Sequence, residues 1–564
     1  MKRKTMSSQE AIRDIEVDGV LTNDNSKIAS AFKENFVHKV ISLSSPASTD
    51  VLEKVVPQVN DQWDFHICTE KDIASIVNNM KTSKSCGPDA ISSKLLKEVK
   101  YEVLPALVIL VNRCLQEGIF PKCFKLGKVI PVPKSGSRKS IKNYRPITIT
   151  SVLGKVVECA ANQQLHNATD HHLPNTMFGF RKGLGTSDAL IQLLDAIKEH
   201  RAAGDFVAIL TCDASAAFDL LHHDLVISML KRLGSGPKVT KFVESFLSGT
   251  EQFVTVNDCE SDTWSLDVGS GQGHVLSPPL FNIGTLSQYF WSAYSILFGY
   301  ADDGTDLVYG QTIDECNEKI RKVMAARQQW YKLAGMSLNV EKTKIMGFGF
   351  SPNPLMLGNI EIEPSSSMKF LGFTIQSNLG QDIHVNSVAS KIRLAAAQIR
   401  ADAKNFLTSD RRRLYMGWVQ GALCSNGSVY LPLLTQTETD TLQTACNAAI
   451  RSIVKLPRKS WDISISLIRK KMNILSVQDL ADKAVLTQAW KSRSLHQMKC
   501  SEGPVTRSRS NGNVPHPDQK GWRGKQISTL AKCAFNSLPK DCKETNDSQK
   551  AKIAIMNIIK GKKL

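Results

Sequence analysis

Two apolar segments that end at acidic residues constrain the fold of this chain more than any other feature. The run Val207-Ala-Ile-Leu-Thr-Cys-Asp213 is short, apolar and closed by a carboxylate, which is typical of a buried strand whose end meets a site. Further along, Ser295–Tyr300 and Thr305–Tyr309 flank Ala301-Asp-Asp-Gly304. This second pattern predicts a hairpin with Asp-Gly at its turn.

The carboxylates of these segments are candidates for a single site. If the two strands are neighbours in a sheet, Asp213, Asp302 and Asp303 converge, and they repel one another unless a divalent cation lies among them. Such a set can hold two Mg²⁺ ions about 3.5–4 Å apart for in-line phosphoryl transfer. Asp-Asp-Gly is also a common surface turn, so the motif alone leaves both interpretations open.

The remaining pattern mixes strands and helices. Lys128-Val-Ile-Pro-Val-Pro-Lys134 is predicted to be an edge strand, because its two prolines cannot donate to a ladder. A helix through Leu225 and Met229 is expected to follow the strand of Asp213. The periodicity becomes helical beyond about residue 380. The middle of the chain is therefore predicted to be mixed α and β, and the later part helical.

The charge of the chain favours a polyanionic partner. The formal net charge is +18, from 71 Lys and Arg against 53 Asp and Glu. Residues 491–564 alone hold 16 basic and 5 acidic residues, a surplus of +11. A basic terminal segment is typical of proteins that contact nucleic acid, although a solvated tail would have the same composition.

Cysteine usage and hydropathy bear on the compartment. The 13 cysteines include no C-x₂-C pair and are too sparse for a disulfide scaffold, so reduced thiols in an intracellular protein are expected. The longest apolar stretch, Val103 to Val111, is interrupted by Pro105 and is too short to cross a bilayer. We therefore expect a protein of the nucleus or the cytoplasm, with no membrane partner.

Three motifs in order resemble those of a polymerase family. Tyr300-Ala-Asp-Asp303 resembles the catalytic box of reverse transcriptases. Asp213-Ala-Ser-Ala-Ala-Phe-Asp219 is similar to the other carboxylate motif in the polymerases of non-LTR (LINE-like) retrotransposons, and Gly269–Asn282 is similar to the Gln-Gly motif between the two. Further blocks that resemble this family are Cys86–Ala90, Val129–Gly136, Asn143–Ile147, Phe178–Thr186, Ser337–Lys344 and Lys369–Phe373.

The resemblance implies an α+β, right-hand polymerase fold of fingers, palm and thumb. The expected parts are an N-terminal leader (1–65), fingers (66–200), a palm with the catalytic carboxylates and a primer-grip hairpin (201–378), a helical thumb-like region (379–490) and a basic C-terminal segment (491–564). The implied activity is RNA-directed DNA synthesis, in which dNTPs are added to the 3′-hydroxyl of a primer. The implied partners are an RNA template and a DNA primer or target DNA, and the implied cofactor is two Mg²⁺ ions, with Mn²⁺ as an alternative.

The resemblance also implies roles for individual residues. Asp213 and Asp302 would be the principal metal ligands, and Asp303 a supporting carboxylate. Phe218 occupies the position of the steric gate, where a ring against C2′ disfavours a ribonucleotide. The same ring would also suit a core position beside a strand.

Four further residues are expected to bind the nucleotide. Gln272 and Gly273 would bound the pocket of the nascent base pair, where glycine lets the backbone approach closely. Lys134 and Arg145 would clamp the triphosphate, a task suited to a point charge and a planar guanidinium. The alternative for this pair is a solvated basic loop.

Two more basic residues and two departures from the family pattern complete the expectations. Arg181 would contact template or triphosphate, and Lys344 would protonate pyrophosphate unless it is an ordinary surface lysine. Gly271 stands where the family usually has proline, and His274 where it usually has a small hydroxyl residue, so we expect a looser loop and a titratable ring near the primer-template.

Two other functions stay open. One is a decayed or co-opted retroelement protein that binds RNA without synthesis, which the two departures favour. The other is an RNA-dependent RNA polymerase, against which Phe218 argues. Because about 70 residues precede the fingers and residues 491–564 hold no zinc-ligand cluster, an endonuclease is not expected within this sequence, which would then be the polymerase part of a longer element or a truncated gene product.

Overall fold

A computed structural model gives the fold. It describes residues 12, 14–17, 19–134, 136–402, 405–456, 464–492, 526–535, 537–538 and 540–561. The packing divides the chain into two compact units. The first contains residues 1–183, 212–304 and 322–343, and the second contains residues 184–211, 305–321 and 344–564.

The described strands form two larger sheets and three hairpins. In chain order they are β1 (Ile15–Val17), β2 (Val20–Thr22), β3 (Leu126–Pro133), β4 (Tyr144–Ile149), β5 (Phe206–Ser215), β6 (Thr250–Val256), β7 (Cys259–Glu260), β8 (Trp264–Leu266), β9 (Ile296–Tyr300), β10 (Asp303–Gly310), β11 (Ser337–Phe348), β12 (Leu355–Leu357), β13 (Ile360–Ile362), β14 (Ser367–Phe370) and β15 (Phe373–Gln376). The four-stranded sheet has the order β11-β5-β10-β9. The five-stranded sheet has the order β4-β3-β6-β7, with β8 also paired to β6.

The described α-helices are more numerous toward the C-terminus. They are α1 (Asn25–Leu43), α2 (Thr49–Leu52), α3 (Glu70–Asn79), α4 (Ser93–Glu98), α5 (Lys100–Glu117), α6 (Val152–Thr169), α7 (Thr186–Ala203), α8 (His223–Arg232), α9 (Pro237–Leu247), α10 (Ser277–Gly284), α11 (Ile313–Leu333), α12 (Asp382–Asp402), α13 (Thr408–Leu414), α14 (Gly421–Cys424), α15 (Gly427–Tyr430), α16 (Gln436–Ile453), α17 (Ile465–Lys471), α18 (Val477–Lys491), α19 (Ile527–Phe535), α20 (Lys540–Glu544) and α21 (Ser548–Gly561). This mixture confirms the predicted α+β class.

The strand that was predicted to end at Asp213 is β5, and its central residues are buried. Val207, Ile209 and Leu210 are fully buried, as expected for a continuous apolar run inside a sheet. β5 runs to Ser215, two residues beyond Asp213, before the chain turns at Ala216 with a φ of +55°. The predicted helix through Leu225 and Met229 is also present, as α8.

The hairpin of β9 and β10 is present, but its turn differs from the prediction. The turn lies at Ala301 and Asp302, and Asp303 and Gly304 already belong to β10. Ala301 takes the left-handed conformation, with φ +56°, which glycine and asparagine usually supply in such turns. The prediction of an Asp-Gly turn was wrong because it relied on that preference.

The strand β3 is not an edge strand along its whole length. Its first half, Leu126–Val129, pairs in parallel with β6, while Lys128–Pro133 pairs antiparallel with β4. Both prolines lie in the half that pairs with β4 alone, where Pro131 stands opposite Pro146. The edge-strand prediction therefore holds only for that half. Proline lacks the N–H that a second partner strand would need, and both prolines lie beyond the residues that pair with β6.

The segment predicted to be a leader contributes a helix to the core of the first unit. From α1, Ile28 and Phe32 are fully buried in one cluster with Val129 and Tyr144 of the five-stranded sheet. The ring of Phe32 meets that of Tyr144 edge-on, with 4.9 Å between centroids. Such a contact contributes about 0.5–1.5 kcal/mol of stability beyond the free energy gained by burying the two rings. α1 is therefore integral to the packing around that sheet.

In the part of the chain beyond Gln376 that the structure describes, all regular elements are helices, as predicted. At its end, α18 contributes Leu486 and Ala489 to a cluster with Phe535 and Ile555 of α19 and α21. This described part of the basic segment is thus packed rather than a solvated tail. Residues 493–525, which belong to the same predicted segment, lie outside the described residues.

In the described ranges, we find no helix whose length and apolar character together would allow it to span a membrane.

Candidate functional site

Neighbouring strands of the four-stranded sheet bring the three predicted carboxylates together. Asp213 lies on β5, and Asp302 and Asp303 lie where β9 turns into β10, the strand beside β5. The negative charge of Asp213 contributes to a raised pKa at both carboxyl groups of the turn. The neighbouring strands that this convergence requires are therefore observed, and the role of these side chains as metal ligands stays a prediction.

The electrostatics of this cluster favour a bound cation. Desolvation by the surrounding protein raises the pKa of Asp302, and the charge of Asp213 adds to this effect, whereas Lys342 and Arg145 oppose it. Desolvation, together with the charges of Asp302 and Asp213, raises the pKa of Asp303 to about 6. Asp302 and Asp303 both remain exposed overall, so solvent screens part of the repulsion between the carboxylates. A positive charge among the three would relieve the rest.

Lys342 supplies one such charge. Its Nζ lies 2.7 Å from Oδ2 of Asp213. The lysine side chain is 64% exposed, so the pair is a surface ion pair of modest strength, about 0–1 kcal/mol. Sequence reasoning singled out Lys344 instead. Since alternate residues of a strand face the same side, Lys342 and Lys344 share a face of β11, and the motif could not distinguish them.

Lys344 is exposed, and its backbone carbonyl accepts a hydrogen bond of 3.4 Å from the Thr211 hydroxyl. No contact of its ammonium group bears on the predicted role in protonating pyrophosphate, which stays a prediction.

A divalent cation fits the chemistry of the carboxylate cluster, although the cluster is not preassembled around one. Within the described residues, no group of three or more His, Cys, Asp or Glu side chains has the arrangement of a metal site. The donors available at Asp213, Asp302 and Asp303 are hard carboxylate oxygens, which Mg²⁺ and Mn²⁺ prefer. Because these carboxylates repel one another and one of them already attracts an ammonium group, these three are the residues that would hold the ion.

The predicted triphosphate pair lies on the hairpin of β3 and β4. The backbone N–H of Lys134 donates to the Asn143 carbonyl at 2.6 Å, and Arg145 stands opposite Val132 in the register. Burial lowers the pKa of Lys134, and the charges of Lys39 and Arg145 lower it further. The charge of Arg145 also reaches Asp302. The charges of Lys134 and Arg145 thus act on each other, and that of Arg145 also acts on Asp302. Their role in clamping the triphosphate stays a prediction.

Phe218 lies in a packed aromatic group, as the core interpretation of this ring predicted. Its ring stacks on Phe281 with 4.4 Å between centroids and meets Phe180 edge-on at 5.8 Å. These contacts hold the ring firmly in a packed aromatic group. The residue is only half-buried, and its role as a steric gate stays a prediction.

Gln272 and Gly273 are fixed against the hairpin. The backbone N–H of Thr148 donates to the Gln272 carbonyl at 2.7 Å. Gly273 has φ +133°, and a Cβ at this position would overlap the Thr148 carbonyl oxygen. Glycine is needed at this position, as predicted. The backbone segment that approaches it closely is that of β4.

Asp219 is a site residue that sequence reasoning missed. The side-chain Nε2 of Gln272 donates to Asp219 Oδ1 at 3.1 Å, with Oδ2 at 3.4 Å. The available signal was its position as the last residue of the motif that begins at Asp213. That motif places it directly after the predicted steric gate.

Arg181 does not lie free to contact substrate. Its guanidinium donates to the Asp170 carboxylate at 2.8 and 3.2 Å and to backbone carbonyls that include those of Pro174 and Met177. Its side chain is only 9% exposed. The predicted contact with template or triphosphate is replaced by a structural role, because the donors of the guanidinium are engaged within the protein.

The two departures from the family pattern are structurally compensated. Gly271 has φ +64°, which proline cannot adopt. Its carbonyl accepts from the Ser277 hydroxyl at 2.8 Å, so the loop is held. His274 is 7% exposed, with Nδ1 3.4 Å from the buried carboxylate of Glu158. The expected looser loop was therefore wrong, because Gly271 is held in a packed interior. The His274 ring is buried there as well, and its effect near the primer-template stays a prediction.

Comparison with known proteins finds a family model that is similar to the central part of the chain. Residues 132–375 match the family model described as "Reverse transcriptase (RNA-dependent DNA polymerase)". This range contains Asp213, Asp302 and Asp303, together with the predicted nucleotide-binding residues Lys134, Arg145, Gln272 and Gly273.

Two similar curated proteins are named as polymerases of mobile elements. The RNA-directed DNA polymerase from mobile element jockey of Drosophila funebris is 24% identical over 61% of this chain and 38% of its own length. The probable RNA-directed DNA polymerase from transposon BS of Drosophila melanogaster is 24% identical over 72% of this chain and 47% of its own length. The chain thus spans less than half the length of these relatives.

Among solved structures, one similar chain is telomerase from Candida tropicalis in complex with a TWJ fragment of telomeric RNA. The sequence identity is 12%, the match covers 70% of this chain and 71% of that chain, and the TM-score is 0.35.

Proposed function

Because residues 132–375 form a reverse transcriptase domain of the type found in non-LTR retrotransposons, we propose that the chain is an RNA-directed DNA polymerase. It would extend the 3′-hydroxyl of a DNA primer, or of nicked target DNA, with dNTPs selected by an RNA template. The names of the relatives support the chemistry. Since the chain spans only part of their length, the substrates and partners are proposals for this chain.

The observation that carries the proposal is the convergence of Asp213 with Asp302 and Asp303. Carboxylates from two neighbouring strands can hold divalent cations, and these cations would compensate the negative charge of the phosphates during phosphoryl transfer. The same place receives the positive charges of Arg145 and Lys342, which suits a triphosphate substrate. An ordinary surface turn would not gather both sets of charges.

The carboxylates would have the following role in the reaction. Asp213, Asp302 and Asp303 would hold divalent cations, for which we propose two Mg²⁺ ions, with Mn²⁺ as the alternative. When bound, these ions supply activation of the attacking hydroxyl and stabilisation of the pyrophosphate leaving group.

Other residues of the chain would orient the nucleotide. Lys134 and Arg145 would hold the triphosphate in line with the primer hydroxyl, and positioning of this kind accounts for most of the rate in phosphoryl transfer. Phe218 would exclude the 2′-hydroxyl of a ribonucleotide, and Gln272 would bound the base-pair pocket. We propose that the protein acts inside the cell, in the nucleus or the cytoplasm.

Primer extension tests this function. The chain is expected to incorporate dTTP on poly(rA)/oligo(dT) in the presence of Mg²⁺, and Asp302→Asn is expected to abolish incorporation. Asp262→Asn, which changes a carboxylate that is 97% exposed, is the matched control and should keep full activity. Equal incorporation by the unsubstituted chain and Asp302→Asn would refute the mechanism. Salt-dependent RNA binding without incorporation would favour the alternative of a non-catalytic RNA-binding protein.

A further inference from the structure

The contact between Asp219 and Gln272 determines which end of the glutamine amide faces outward. Both oxygens of the carboxylate lie within 3.4 Å of the Gln272 Nε2. An ionised carboxylate only accepts hydrogen bonds, so the amide nitrogen is the atom that must face it. The carbonyl oxygen Oε1 is then left to accept from a ligand.

The backbone of Gln272 is fixed as well. Its carbonyl accepts from the Thr148 N–H at 2.7 Å, and Gly273 packs directly on the Thr148 carbonyl. With the main chain held by β4 and the side-chain nitrogen held by Asp219, the amide has one orientation. Groups fixed in this way bind ligands with a smaller loss of conformational entropy.

Asp219 itself is held in a charged environment by α1. It lines a cavity of about 630 Å³, together with Lys39 of α1, Lys134 and Gln272. Burial raises the pKa of the Asp219 carboxyl, while the Gln272 hydrogen bond and the charges of Lys39 and Lys134 act in the opposite direction and favour its ionised form. α1 therefore supports the acceptor that orients Gln272.

We propose that Asp219 is a positioning residue of the nucleotide pocket, which acts through Gln272 by presenting the glutamine Oε1 to a donor group of the incoming nucleotide. This inference rests on the proposed function, because the ligand is the dNTP of that reaction. Asp219 would not touch the nucleotide. Its effect would appear in nucleotide affinity, since Gln272 lies beside the pocket and the metal-binding carboxylates are left intact.

A double-mutant cycle separates positioning from a general structural role. In primer extension with dTTP, Asp219→Asn is expected to raise KM about 10-fold with little change in kcat, because an asparagine amide can both donate and accept and therefore no longer fixes the orientation of the Gln272 amide. Gln272→Ala is expected to have a similar effect. The double variant should be no worse than Gln272→Ala alone, because one contact cannot be lost twice. Additive effects, or a fall in kcat with KM unchanged, would overturn the inference.

Asp262→Asn is the matched control, because this carboxylate is 97% exposed and is outside the Gln272 contact. It should leave KM unchanged, and a KM raised equally by both Asp variants would overturn the inference. If Asp219→Asn fails to fold by thermal melting, Gln272→Glu carries the same test. This variant sets two carboxylates against each other and should raise KM for dTTP equally, whereas an unchanged KM would refute the coupling.

The inference and the proposed function can fail separately. If the unsubstituted chain incorporates no dTTP, the proposed function fails, and the inference is then read from equilibrium binding of dTTP with primer-template and Mg²⁺. A dTTP affinity that is about 10-fold weaker in Asp219→Asn supports it. Equal affinities, or no dTTP binding by the unsubstituted chain, overturn it.

Discussion

The ammonium group of Lys342 lies 2.7 Å from the Asp213 carboxylate, at the position where a divalent cation would compete for the same oxygen. A lysine in this place lowers the repulsion among the three carboxylates while no ion is bound. Its charge also opposes the raised pKa of Asp302 and Asp303. Metal binding and this ion pair are therefore expected to be mutually exclusive at that oxygen.

The first prediction follows from that competition. Lys342→Met should strengthen Mn²⁺ binding about two- to fivefold, because removal of an exposed ion pair is worth less than about 1 kcal/mol. Isothermal titration calorimetry with Mn²⁺ measures the change. Lys344→Met, which removes a charge two residues along β11, is the comparison and should leave the affinity unaltered. Weaker Mn²⁺ binding by Lys342→Met would mean that the lysine supports the metal site.

The second prediction concerns the close approach at Gly273. Gly273→Ala should abolish nucleotide incorporation and lower the melting temperature, because the new methyl group overlaps the Thr148 carbonyl while the backbone keeps φ +133°. Gly183→Ala is a matched control, since Gly183 also has a positive φ, +84°, but has open space around its Cβ position. It should show only the conformational cost of about 1 kcal/mol. Similar losses for both variants would mean that φ, and not the steric overlap, is decisive.

The third prediction concerns the buried carboxylate of Glu158. Its Oε2 accepts from the Val275 N–H at 2.6 Å and from the Leu276 N–H at 3.3 Å. Glu158→Gln brings an amide group that accepts through one oxygen only, so it should lower the free energy of unfolding by about 1–3 kcal/mol. Thermal melting measures this loss, with the exposed Glu260→Gln as the control. An unchanged melting temperature would show that these hydrogen bonds do not anchor the loop.

Local pattern was sufficient for the strand of Asp213 and for the hairpin beside it, because apolar runs of this length encode strands directly. It was insufficient where the answer depended on tertiary partners. Arg181 was assigned to substrate from its motif, but a carboxylate eleven residues earlier engages its guanidinium. Lys342 and Lys344 share a strand face, so only the position of Asp213 distinguishes them.

The turn and the N-terminal helix illustrate two further limits. Residue preferences placed the turn of the hairpin at Asp-Gly, whereas Ala301 takes the left-handed conformation in a hairpin whose strands are fixed by the sheet. The periodicity of α1 predicted an amphipathic helix, but it carried no information about what Phe32 packs against. That partner, Tyr144, lies more than 100 positions away in the sequence.

The last prediction is a loss of stability at acidic pH that arises from His384. This side chain is 4% exposed, with its ring centroid 4.4 Å from that of Phe373 and 4.9 Å from that of Tyr430. Burial lowers the pKa of His384 to about 4, and the charges of Lys391 and Lys369 act in the same direction. The unfolded chain binds this proton near the ordinary value of 6.5 and the folded chain does not. The free energy of unfolding should therefore fall as the pH drops from about 6.5 to 4, by up to about 3 kcal/mol.

Urea denaturation across this pH window measures the effect. His384→Leu removes the titrating group and should flatten this part of the pH dependence, whereas His66→Leu, at an exposed position, should keep it. The loss belongs to the unit that contains β15 and α12, because the ring and both aromatic partners lie there. An identical slope in His384→Leu and the unsubstituted chain would assign the acid sensitivity to other groups.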